Sequence, residues 1–335
     1  MKAGNQKGVW NFFLKTALFL CILFLLDSAI GKVLEHYYFK QSSGLLYRTT
    51  YALDSTKADL LIFGSSTANH NYYPDSIEKN LRLSCYNTGR DGMSIFYFYA
   101  VLKSDLKRYT PKVVILDFFP VEFRKEQMDY DRITALLPYY SSHPELRSII
   151  LMKSPYERLK LISRIYPFNS LAFTILGGNL QMNKNREINK GSQGYVPLPE
   201  VWNGPLVYDT FAVKYPIDSN KVHMYESFIQ DCIKAKVKLY IILSPKYEIF
   251  DKNEQSVMIG SRIAKKYGIP FFDFTYDPFF HSRKELFADE GHLNETGSKL
   301  YTQAVIKRML EYQKEQGDSI NISSQIASPN PNEKK

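Results

Sequence analysis

Five short apolar runs alternate along this chain with segments of helical periodicity. The runs are Ala58–Phe63, Ser84–Asn87, Val113–Leu116, Val237–Ser244 and Ile269–Phe274. Each has the length of a strand buried on both faces rather than of a helix. Between them, Asp75–Leu81 carries Ile77 and Leu81 four apart. Ser94–Tyr109 places Ile95, Phe98, Leu102 and Leu106 on one helical face. Tyr225–Lys234, Gln255–Tyr267 and Thr296–Tyr312 read as further helices. Strand and helix in alternation predict an α/β fold, a parallel five-stranded sheet covered by helices on both faces. Right-handed crossovers follow.

The rhythm fails between the third and fourth runs. Residues 122–220 form a large, mainly helical insertion: Ser141–Ile165 is amphipathic, while Lys184–Pro205 is polar and rich in Asn, Gly and Pro, as a loop would be. Long insertions of this kind tend to rim a functional site. Residues 314–335 have the composition of a disordered tail. The expected organisation is therefore an N-terminal segment over 1–31, a stalk over 32–57, an α/β domain over 58–313 and the tail.

The N-terminal segment fixes where the protein lives. Residues 10–30 read WNFFLKTALFLCILFLLDSAI, with Lys15 and Asp27 flanking the strictly apolar Ala17–Leu26. At 1.5 Å per residue the whole stretch can cross a bilayer of about 30 Å if the flanking charges snorkel. It reads as an uncleaved anchor, or alternatively as a secretory signal cut near Ala29-Ile30-Gly31. Lys2 and Lys7 hold the preceding end in the cytoplasm. Either route places the main domain outside the cytoplasm, attached by the anchor to membrane lipid. The net charge of +9 is scattered, with no basic cluster of the kind nucleic-acid binding needs. Cys21, Cys85 and Cys232 are odd in number and widely spaced, so neither a disulfide framework nor a zinc knuckle is expected, and no metal or cofactor is implied.

In an open parallel sheet, sites form beyond the carboxyl ends of the strands. Three segments fall there. Gly64-Ser65-Ser66-Thr67-Ala68-Asn69-His70 follows the first strand and exposes a hydroxyl at a strand-to-helix turn. Asn87-Thr88-Gly89-Arg90-Asp91-Gly92 follows the second and permits a tight turn. Phe287-Ala288-Asp289-Glu290-Gly291-His292 precedes the last helix, with Asp and His three apart. A carboxylate so placed can orient an imidazole. Taken singly these are, in turn, an N-cap, a structural turn and a metal-ligand or capping pair.

Together and in this order they resemble the SGNH (GDSL-like) hydrolase superfamily, over residues 57–312 without the insertion. The resemblance implies a flavodoxin-like three-layer fold and a Ser-His-Asp triad. Ser66 matches the nucleophile, His292 the general base and Asp289 the residue that orients it. The amides of Ser66 and Gly92 match the oxyanion hole. Asn69, His70, Asn87 and Arg90 are possible substrate contacts. Gly64-Ser65-Ser66 together with the anchor looks like membrane-anchored bacterial members that accompany cell-surface polysaccharide machinery. The implied activity is that of an esterase or O-acyltransferase on acyl esters, with a surface glycan as the expected substrate. One departure stands out: Val121 occupies the position where the family supplies an oxyanion-hole asparagine. Loss of such a donor typically costs about a hundred- to a thousandfold in rate. The alternative is a degenerate member that binds glycan or an assembly partner without catalysis.

Overall fold

A computed structural model describes residues 3–180, 182, 193–205, 214–247 and 254–317. Residues 184–192 of the polar loop expected over 184–205, and the expected tail from residue 318 onward, lie outside the described residues. The chain divides into two compact units, Met1–Thr50 with Tyr130–Glu187, and Tyr51–Asp129 with Ile188–Lys335.

The first unit is built on α1 (Ala3–Phe39), one continuous 37-residue helix. Its Gly8–Phe39 stretch is long and apolar enough to cross a membrane. From Val9 to Leu26 its large apolar side chains are exposed, as expected of a helix that is hydrophobic all round and meets no protein. The chain then enters α2 (Gly44–Asp54), so the expected stalk is largely helical. Against α1 packs a chain of short turns. Ser141–Ile165 is not one amphipathic helix but is broken into Pro144–Leu146, Arg147–Ile150, Leu151–Lys153 and Glu157–Lys160. Pro144 and Pro155 explain the breaks, since proline donates no amide hydrogen and pushes its predecessor out of the helical region. The unit's core centres on Tyr38, whose ring meets those of Tyr139 and Phe168 edge-on at 6.0 and 5.6 Å.

The second unit carries the sheet. Its strands are β1 (Leu60–Phe63), β2 (Cys85–Asn87), β3 (Val113–Asp117), β4 (Lys238–Leu243) and β5 (Phe271–Asp273). All pair in parallel, in the order β2-β1-β3-β4-β5. Both faces are covered, so alternate residues go to different layers. Leu60, Ile62, Val113, Ile115, Tyr240 and Ile242 meet one layer. That layer includes α4 (Pro74–Leu81) and the C-terminal helix Glu295–Glu315, through Ile77, Leu81, Tyr301, Val305 and Met309. The intervening residues face the other way; the Phe63 ring meets Phe228 at 5.4 Å. That second layer contains α5 (Ile95–Arg108), α6 (Ser219–Lys234) and α7 (Gln255–Lys266). The C-terminal helix, α8, is capped by Asn294, whose Oδ1 accepts from the Gly297 amide at 3.0 Å. It extends three residues beyond the Tyr312 limit expected from periodicity. With this strand order the crossovers reverse direction beside β1, so the crevice lies between the carboxyl ends of β1 and β3.

Candidate active site

Ser66 opens α3 (Ser66–Asn71), directly beyond β1. Gly64 makes that turn possible. Its φ of 149° lies where side chains are strained, and a Cβ there would stand 2.7 Å from Ala68 Cβ and 2.9 Å from Asp117 Cβ. The chain thus turns sharply at the sheet edge and leaves Ser66 partly exposed while Thr67 to Asn71 are buried.

The imidazole arrives from the opposite end of the sequence. Residues 287–293 close a tight loop through a bridge between Phe287 and Leu293, with the Ala288 amide donating to His292 O at 2.9 Å. Asn71, the last residue of α3, fixes this loop to the helix that Ser66 opens: its Oδ1 accepts from the Leu293 amide at 3.0 Å. Within the loop Asp289 Oδ1 accepts the amides of Gly291 and His292, both at 2.8 Å. His292 Nδ1 lies 2.9 and 3.0 Å from the two carboxylate oxygens. Its Nε2 lies 2.7 Å from Ser66 Oγ. Burial works to raise the Asp289 carboxyl, but these hydrogen bonds and the His292 charge hold it below its ordinary value. An ionised Asp289 accepts a hydrogen bond from Nδ1–H, which turns the Nε2 lone pair toward the serine hydroxyl.

A second histidine–carboxylate pair stands beside the first. His70 is buried, and its ring meets that of His292 edge-on at 5.5 Å. Its Nδ1 lies 2.7 Å from Val196 O and its Nε2 3.3 Å from Asp91 Oδ2. Asn69 Nδ2 donates to Asp91 Oδ1 at 2.7 Å. Burial of Asp91 is outweighed by His70, Asn69 and the His292 charge, which hold its carboxyl at about 2. These contacts fasten the loop carrying Gly92 to the helix carrying Ser66. The other sequence candidates are placed differently. Asn87 is a structural strut: its Nδ2 donates to Ala68 O at 2.7 Å and its Oδ1 accepts the Gly89 amide at 2.9 Å. The Arg90 guanidinium is buried 5.4 Å over the Tyr97 ring. Val121 brings no side-chain donor.

Two further buried charges stand out: the sequence marks Asp117 as ending a buried strand and structuring the floor, and does not single out Lys246. Asp117, at the end of β3, is fully buried and accepts hydrogen bonds from Thr67, from Tyr72 at 2.7 Å and from Ser244. Burial pushes its carboxyl up to about 6 against these donors. It therefore ties β3, β4 and α3 together directly behind Ser66. Lys246, three residues beyond β4, is only 5% exposed and holds its ammonium 4.3 Å over the Phe119 ring. Its signal in the sequence is a lysine following Ser244-Pro245 at a carboxyl strand end. Among the described residues there is no group of three or more His, Cys, Asp or Glu arranged to hold a metal.

No family model matches the chain, and no curated protein matches it. Among solved structures it is similar to an acetyl xylan esterase, at 14% identity over 74% of this chain and 98% of that one. The TM-score is 0.38, too distant a likeness to bear on activity.

Proposed function

We propose that the protein is an SGNH-like serine esterase or O-acyltransferase, anchored in a membrane by α1 with its sheet domain outside the cytoplasm, and acting on short acyl esters of surface glycans. The observation that carries this reading is the Asp289–His292–Ser66 relay at the carboxyl edge of the sheet. Serine is a weak nucleophile until a base takes its proton. In the proposed reaction Ser66 Oγ attacks the ester carbonyl carbon as its hydrogen passes to His292 Nε2, and Asp289 stabilises the imidazolium. The negative oxygen of the tetrahedral intermediate meets the Ser66 and Gly92 amides. Collapse breaks the ester C–O bond, and the departing alkoxide takes the proton from His292. Water, or a sugar hydroxyl, then gives its proton to His292 and attacks the acyl-serine; collapse breaks the acyl–Oγ bond, Ser66 Oγ takes the proton back from His292, and acid or a new ester is released.

Two observations support an uncleaved anchor. The helix runs unbroken through Ala29–Gly31, and Asp27 accepts hydrogen bonds from Ser163 Oγ and the Arg164 amide, at 2.5 and 2.7 Å. Cutting there would strip the first unit of these partners. The second reading, a fold kept for binding, is favoured by Val121 alone. Full-length protein in detergent, assayed with p-nitrophenyl acetate, tests the choice. The proposal expects turnover that Ser66→Ala abolishes. Turnover equal in both proteins, or absent from both, supports the binding reading.

A further inference from the structure

We infer that the turns over residues 156–164 form a foot that rests in the headgroup–acyl boundary of an anionic bilayer, beside the point where α1 leaves the hydrocarbon. The inference rests on the reading that α1 spans the membrane, and it is independent of the chemistry at Ser66.

The foot has three parts. The first is an apolar ridge. The Leu159 amide donates to Tyr156 O at 3.0 Å and the Ile162 amide to Leu159 O at 3.2 Å. Spaced three apart across the α-helical turn Glu157–Lys160 and the turn after it, Tyr156, Leu159 and Ile162 fall on one side. They are 71%, 66% and 65% exposed, and the unit's own core does not use them. On the inward side Glu157 is fully buried and is held by Ser154, Lys160 and Tyr166.

The second part is charge. From 147 to 164 the exposed charged residues are Arg147, Arg158 and Arg164, all basic, while the single acid, Glu157, is inside. An apolar ridge led by a tyrosine and flanked by arginines has the composition of a segment lying at an anionic membrane surface.

The third part is position. The ridge runs straight into the turn that grips α1. Ser163 Oγ donates to Asp27 Oδ1 at 2.5 Å, and the amides of Arg164 and Ile165 reach the same carboxylate at 2.7 and 3.4 Å. One turn further on, Gly31 lies so close that a Cβ would come within 2.5 Å of Arg164 Cβ. Asp27 is also where α1 ceases to be exposed all round, since Leu26 is 53% exposed and Gly31 is buried, while Ile30 and Val33 on another face stay exposed. The ridge therefore adjoins α1 where one face of that helix first becomes covered. Three donors satisfy a carboxylate that would otherwise be costly at that depth.

The test uses full-length protein carrying Cys21→Ser, reconstituted into phosphatidylcholine–phosphatidylglycerol vesicles. An environment-sensitive dye is attached at Ile162→Cys, or in a second variant at Leu159→Cys. Reference sites are Leu20→Cys on α1 and Lys234→Cys on α6. Lipids spin-labelled near the headgroup end of the acyl chain should quench the ridge sites about threefold more than Lys234. Quenching at Leu20 with ridge sites no better quenched than Lys234 overturns the foot and leaves the anchor standing. A Leu20 site left unquenched even by lipids spin-labelled near the end of the acyl chain overturns the spanning reading and the foot with it. A photo-crosslinker at Leu159 that joins two copies, or captures another membrane protein in place of lipid, also overturns the inference.

Discussion

Asp289, Asp91 and Asp117 differ little in sequence and greatly in surroundings. Asp289 holds the histidine that faces Ser66, so replacing its carboxylate by an amide leaves the wrong imidazole tautomer. Asp289→Asn is expected to lower kcat by about a thousand- to ten-thousandfold while ester binding survives, as steady-state kinetics would show. Asp117 acts through Thr67 and is a positioning residue. Above pH 6 it is ionised and accepts all three hydroxyl hydrogens. Below about 6 it gains a proton of its own, and one donor must turn away. The acid limb of kcat/KM should then be steeper than a single ionisation, and Asp117→Asn should return it to a single one. An unchanged limb in Asp117→Asn would show that its titration does not reach the nucleophile. At this scale the meeting of Ser66, His292 and Asp289 was legible through the combined order of three short segments, because each strand end delivers its residues to the same edge. The wiring of Asp117 and the burial of Lys246 were not, since the partners that make a buried charge tolerable come from strands far apart in sequence.

Elements were legible where burial alone decides them. The runs that became β1, β3 and β4 are apolar throughout because helices cover both faces. Residues 141–165 misled because their apolar spacing continues across Pro144 and Pro155. Helix α5 shows how an element depends on a distant loop. Its first amide, Ile95 N, donates to Glu122 Oε1 at 2.7 Å, and burial lifts that carboxyl to about 7 against Lys221 and this same amide. Burial also raises Asp105; with Asp117 at about 6, Asp117 and Glu122 join it in holding protons more tightly folded than unfolded. The stabilising contribution of Asp117 and Glu122 is complete below about pH 4 and is lost as pH rises through 6 to 7. Urea unfolding of the protein should therefore show falling stability from pH 5 to 8. Glu122→Gln should flatten that fall by about 1.4 kcal/mol for each unit of its shift. A slope unaltered by this variant would contradict the account. The turn at Gly64 is a second test: Gly64→Ala should cost about 1–3 kcal/mol of stability through overpacking against Ala68 and Asp117, measured in the same titration.

For the molecule as a whole, sequence reading anticipated the parallel sheet and an apolar N-terminal helix. It did not anticipate that residues 130–187 cluster with that helix, because apolar periodicity says which face is buried and not against what. α1 is thus both an exposed apolar rod over Val9–Leu26 and, from Asp27 to Tyr38, a structural part of its unit. A chain begun at residue 33 should lose the first unit's thermal transition in calorimetry while the sheet unit keeps its own. Retention of both transitions would mean that the contacts at Asp27 and Gly31 contribute little.

The most direct measurement is peptide-resolved mass spectrometry of the intact, detergent-solubilised chain after treatment with a fluorophosphonate, which traps a serine only where a base and oxyanion donors converge on it. The account predicts one adduct, on Ser66, lost in Ser66→Ala and formed far more slowly in His292→Ala. A folded chain that takes up no label, or takes it up at another serine, would contradict it.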